Sequence, residues 1–70
     1  MPTQVDIRIV FKVRDWLWVD HCGVTLILEE GTVLEQFSNN AFGINTGRYA
    51  GKLVVISNEA WSHIYEFRQV

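Results

Sequence analysis

Val5, Ile7, Ile9, Phe11 and Val13 alternate with Asp6, Arg8, Lys12 and Arg14, a period of two broken only by Val10. Alternation of this kind predicts a strand with one buried face. Trp16-Leu17-Trp18-Val19 follows Arg14-Asp15. It either continues that strand or opens a second one after a tight turn. If the parity continues, Leu17 and Val19 stay inside while Trp16 and Trp18 share the opposite face with Val10. If it resets, the tryptophans become core.

Val24–Leu28 and Thr32–Phe37 are β-rich runs around Glu29-Glu30-Gly31. They read as a hairpin whose two-residue turn, Glu30-Gly31, sets Leu28 against Val33, Leu26 against Glu35 and Val24 against Phe37. Glu35 on that apolar face needs the rim or a hydrogen-bond donor, since an unpaired buried carboxylate is costly. Ser38 to Gly51 concentrates Asn and Gly and predicts one long loop, within which Phe42, Ile44 and Tyr49 anchor the chain or form a short extra strand. Lys52–Ser57 reads as a buried strand. In the carboxyl-terminal run Trp61, Ile64, Tyr65 and Arg68 share a helical face while Trp61, His63, Tyr65 and Phe67 alternate as in a strand; the preference of Ile, Tyr and Phe for sheets favours a single helical turn near 58–61 and a last strand over 63–69.

The total is a single all-β domain over residues 1–70, a small antiparallel barrel or sandwich of five to six short strands. An SH3-like barrel is one form of it, by analogy of architecture: short strands, a tight turn and one helical turn before the last strand.

Composition narrows the function. With 49% hydrophobic and 13% aromatic residues and a net charge of -2, the chain is not of the disordered type. Its one cysteine, Cys22, rules out an internal disulfide framework. The amino terminus lacks the pattern of a signal peptide, and no apolar run reaches the roughly 18 residues of a membrane span, so the expectation is a soluble cytoplasmic protein with no membrane contact.

No Lys or Arg occurs between Asp15 and Gly47, a window holding Asp15, Asp20, Glu29, Glu30 and Glu35. The reading of such a strip is either a solvated face or a surface complementary to a basic partner. Six scattered cations outnumbered by eight carboxylates weigh against nucleic acid, whose binding draws on clustered positive charge. A small barrel that stacks single-stranded bases on aromatics beside Arg8, Lys12, Arg48 and Lys52 is the remaining nucleic-acid alternative.

Asp20, His21, Cys22 and the distant His63 are the only residues with ligand or nucleophile chemistry in their grouping. Neighbouring strand residues point to opposite faces, so His21 and Cys22 do not converge on a metal, and the group reads as a turn over Asp20–Gly23 with Cys22 a small buried residue. Gly43, Gly47 and Gly51 lack the spacing of a phosphate loop. The expectation is therefore no enzyme, no cofactor and no metal.

Surface recognition remains. Trp and Tyr dominate binding hot spots, and the expected contact residues are Trp16, Trp18, Glu29, Glu30, Phe42 and Tyr49. In general character the chain resembles the inhibitor and accessory proteins of bacteriophages and other mobile elements. The reading is a protein-binding module that blocks or adapts a larger protein, with a structural homo-oligomer as the alternative.

Overall fold

The computed structural model describes the backbone of residues 8–69 and the side chains of residues 10–67. Seven strands form one antiparallel sheet: β1 (Arg8–Val13), β2 (Trp16–His21), β3 (Val24–Glu29), β4 (Val33–Gln36), β5 (Ala41–Ile44), β6 (Leu53–Val55) and β7 (Ile64–Gln69). A 3-10 segment, Asn58–His63, precedes β7. The expected extension of β1 back to Val5 and Ile7 lies outside the described residues.

The sheet order is β3-β2-β6-β5-β4-β1-β7, which places β1 and β2, consecutive in the chain, four positions apart. In a flat sheet that separation is about 19 Å, at about 4.8 Å per strand. Three Cα steps from Val13 to Trp16 span at most about 11 Å. The sheet must therefore curl. The β3–β4 link through Glu30, Gly31 and Thr32 crosses at the same corner, where Gly31 N–H donates to the Val13 carbonyl at 2.9 Å and Val13 N–H donates to that of Thr32 at 3.0 Å. The curl does not close, because β3 and β7 are its two edges. The mainly-β, antiparallel architecture is thus as expected, whereas the barrel or sandwich of five to six strands is corrected to one open, bent sheet of seven.

Inside the curl lies the core: Phe11 and Val13 of β1, Leu17 and Val19 of β2, Leu28 of β3, Leu34 of β4, Phe42 and Ile44 of β5, Val54 of β6 and Ile64 of β7. Register explains the set, since Leu17 faces Leu28, Leu34 faces both Phe11 and Ile44, and Phe42 faces Val54. Ala60 and Trp61 of the 3-10 segment add to this core, with the Trp61 ring 5.5 Å from Phe11 and from Phe42 in edge-on geometries.

The expected β3–β4 hairpin does not form. β3 pairs instead with β2 over six consecutive positions, from Trp16 opposite Glu29 to His21 opposite Val24. The turn between them is Cys22-Gly23, both at positive φ (53° and 84°), the backbone that lets a two-residue turn match the strand twist. Cys22 is exposed there, not buried. A full six-residue ladder closed by this turn prevails over the Glu30-Gly31 turn, where the Gly31 amide bonds to Val13 of β1 and the Thr32 amide to Glu29.

β2 is a separate strand that keeps the inward parity of Leu17 and Val19, leaving Trp16 and Trp18 on the outer side. β5 divides the stretch from 38 to 51, so the short extra strand forms within the expected loop. β6 is half-buried and not fully so: Val54 points in, whereas Leu53 and Val55 are more than half and half exposed. The last strand and the helical turn before it form where the sequence places them, the turn running two residues further, to His63.

Candidate interaction surface

Residues two apart on a strand share a face, so Trp16 and Trp18 lie side by side on the outer surface of β2, their rings 5.2 Å apart. The 3-10 segment carries His63 onto the pair. Its imidazole centroid sits 4.9 Å from Trp16 and 5.0 Å from Trp18. Asp15, in the β1–β2 corner, fixes this arrangement through one oxygen, Oδ1. That oxygen accepts the Trp16 backbone N–H at 2.7 Å and the His63 Nδ1–H at 3.0 Å. Arg14 N–H donates to the His63 carbonyl at 2.8 Å, anchoring the backbone as well.

The hydrogen bond from His63, then that from the Trp16 amide, and the nearby imidazole hold the Asp15 carboxyl below its ordinary value of 3.8. Asp15 and Trp16 are both exposed, whereas His63 and Trp18 are half-buried. The result is a three-ring cluster on a strand paired on both sides, with an anion at its base.

The β2–β3 register extends this surface onto β3. Glu29 lies directly opposite Trp16, and Ile27, more than half exposed, directly opposite Trp18. Glu29 and Glu30 are exposed and take part in no ion pair among the described residues. Beside β3 runs a shallow cleft lined by Ile27, Leu28, Glu29, Thr32, Thr46, Gly47, Arg48 and Tyr49. Tyr49 packs half-buried against the core with the Arg48 guanidinium 5.6 Å from its ring centroid.

Of the six contact residues expected from the sequence, Trp16, Trp18 and Glu29 therefore share the outer face of one hairpin. Glu30 follows at its end, and Tyr49 borders the adjoining cleft. Phe42 is different. It is completely buried at the centre of the core, a structural residue with no surface to offer. Sequence reasoning missed His63 and Asp15 as members of the cluster, because 48 residues separate them and no local pattern joins them. It also missed Ile27 as a contact residue: strand parity already set Ile27 on the face away from Leu28, but only the pairing of β3 with β2 places it beside Trp18.

The residues with ligand chemistry are dispersed. His21 donates from Nδ1 to the Leu53 carbonyl at 2.9 Å, tying the β2–β3 hairpin to β6, and Cys22 occupies the hairpin tip, whereas His63 stands with Asp15 at the opposite end of β2. The cations are dispersed too. Lys12 places its ammonium 4.3 Å from the Phe67 ring centroid on the outside of β1, while Arg48 and Lys52 lie in the β5–β6 loop. The Arg8 side chain is outside the described ones.

A second apolar area lies farther across the outer face, where cross-strand register sets Leu53 beside Gly43 and Val55 beside Ala41. Leu53, Val55 and Phe37 are all largely exposed there. No helix among the described residues is long and apolar enough to cross a membrane. Compared with known protein families, with curated proteins and with solved structures, the chain finds no significant match.

Proposed function

We propose that this chain is a small non-enzymatic protein-binding module of the cytosol. It engages a larger protein and blocks or adapts it, in the manner of the inhibitor and accessory proteins of phages and mobile elements. The proposal takes the bent sheet, with a 3-10 turn before a last strand that returns to β1, as an SH3-like scaffold. One observation carries the reading: the Trp16–Trp18–His63 cluster, with Trp16 exposed and its two neighbours half-buried, lies beside the Glu29 carboxylate, which has no ion pair among the described residues. Rigid aromatic rings next to charge are the composition of a binding hot spot, since the rings lose little entropy on contact and the charge accelerates encounter with a basic surface.

Capture from a host lysate on the immobilised chain tests it. The wild type retains a large protein that the Trp16→Ala/Trp18→Ala variant loses, the loss showing as faster dissociation. Reversing charge at Glu29 and Glu30 slows association, most at low salt. Equal retention by the wild type and the tryptophan variant counts against the reading.

A homo-oligomer is the second reading, and the exposed Phe37, Leu53 and Val55 favour it. Sedimentation velocity across a range of concentrations separates the two: a mass that stays monomeric removes the oligomer.

A further inference from the structure

The edge formed by β3 is open in a way that the edge formed by β7 is not. Edge strands are usually protected by lysine, proline, a bulge or short length, because their free amides and carbonyls invite another strand. β3 has none of these: six residues, Val24 to Glu29, pair with β2 without interruption, and no Lys, Arg or Pro occurs among them. β7 carries Glu66 and Arg68 along its length.

The two-residue turn at Cys22-Gly23 sets the direction of each peptide group. It makes His21 and Val24 a hydrogen-bonded pair, so Val24, Leu26 and Leu28 bond to β2, and the backbone groups of Thr25, Ile27 and Glu29 face outward. The Glu29 carbonyl is used by Thr32, which donates its N–H at 3.2 Å and its hydroxyl at 2.7 Å. The amides of Thr25, Ile27 and Glu29 and the carbonyls of Thr25 and Ile27 have no backbone partner among the described residues. Across the cleft the loop bearing Tyr49 borders the edge from Ile27 to Glu29, whereas Val24 and Thr25 lie outside the cleft and are exposed.

We propose that an extended basic segment of a partner adds to this edge as an eighth strand, antiparallel to β3. The inference rests on the protein-binding reading above and specifies its partner. On the outer face, the added strand sets one residue opposite Glu29, the next but one opposite Ile27, and the next but one again opposite Thr25, which itself lies beside Asp20 of β2. Glu29 at one end, Ile27 in the middle and, at the other end, Thr25 with the Asp20 carboxylate one strand further in fit a segment of pattern basic–any–apolar–any–basic. Arg48, the cation bordering the cleft, is turned over the Tyr49 ring. Self-pairing through β3 runs against the same charges, because it gathers Asp20 and Glu29 of both copies on one face.

The test uses the full chain and a blocked peptide of sequence Thr-Lys-Thr-Val-Thr-Lys-Thr, followed by amide NMR and hydrogen exchange. The expected result is slowed exchange at Thr25, Ile27 and Glu29, a tenfold or greater loss of affinity when the peptide's valine is N-methylated, and a comparable loss when glutamate replaces its lysines. The N-methyl arm leaves the protein unaltered, so a folding defect cannot imitate its effect. In the protein, Thr25→Pro removes one outward amide at an edge position where proline is tolerated, and it abolishes binding.

Unchanged exchange at those three amides, or equal binding of the N-methylated peptide, overturns the proposal. So does protection of the same amides in a concentration-dependent dimer without peptide, which assigns the edge to a second copy. If a lysate partner still requires Trp16 and Trp18 while the peptide leaves the three amides untouched, the binding reading stands and the edge proposal alone fails.

Discussion

The Phe37 ring lies on Gly43, occupying the space where a Cβ would stand; an ideal Cβ built there falls 2.5 Å from Phe37 Cε2. Glycine within a strand leaves its backbone unshielded, and an aromatic ring laid over it restores the cover. The two residues are coupled by this geometry. Gly43→Ala alone displaces the ring and changes stability little, because better strand preference offsets the lost contact. In a Phe37→Ala background the same substitution stabilises by roughly 0.5–1 kcal/mol, since only the entropic disadvantage of glycine is then removed. A double-mutant cycle by urea denaturation measures this, and additive single effects refute the coupling.

Alternate positions on β2 respond oppositely to truncation. Leu17→Ala opens a cavity in the core and costs about 2–5 kcal/mol, and Phe42→Ala about 3–5 kcal/mol. Trp16→Ala removes a ring 46% exposed and costs much less, while on the proposed function it weakens capture of the proposed partner. Chemical denaturation alongside partner capture checks the contrast; an unfolded Trp16→Ala protein would place that ring in the core's energetics and not at an interface.

Cys22 bears a positive φ at the hairpin tip, a conformation that favours Asn or Gly over Cys. Cys22→Asn therefore raises stability and leaves the fold unchanged. The shift in denaturation midpoint at constant slope is the readout. A loss of stability would assign the thiol a role that the turn geometry does not account for.

The lowered Asp15 value fixes a pH dependence. A carboxyl whose folded value is depressed adds stability that is complete above its unfolded value and disappears as pH falls through the folded one. Wild type therefore loses this contribution from about pH 4 downward, and Asp15→Asn, which has no such titration, shows a flatter profile over that acid range. Parallel pH–stability curves for the two proteins would disprove the contribution.

Much of this architecture was legible in the alternation of side chains. Period two set the inward face of β1, and strand preference favoured a last strand with a helical turn ahead of it; the facing of Trp16 and Trp18 did not follow, because parity across Arg14-Asp15 could continue or reset. Such a pattern fixes which side chains share a face. It does not fix which neighbour a strand meets, because hydrogen-bonding edges look alike in sequence, and there Glu30-Gly31 and Cys22-Gly23 offered rival turns.

Tertiary structure decided between them. The short β1–β2 and β3–β4 links force the sheet to curl, and the curl turns Phe42 into the centre of the core and leaves β3 as an edge. The same bend brings His63 across 48 residues to Asp15 and the two tryptophans. Side-chain pattern thus determined the faces of the strands, whereas chain connectivity in three dimensions determined their partners, because contacts this far apart in sequence depend on the path of the whole backbone.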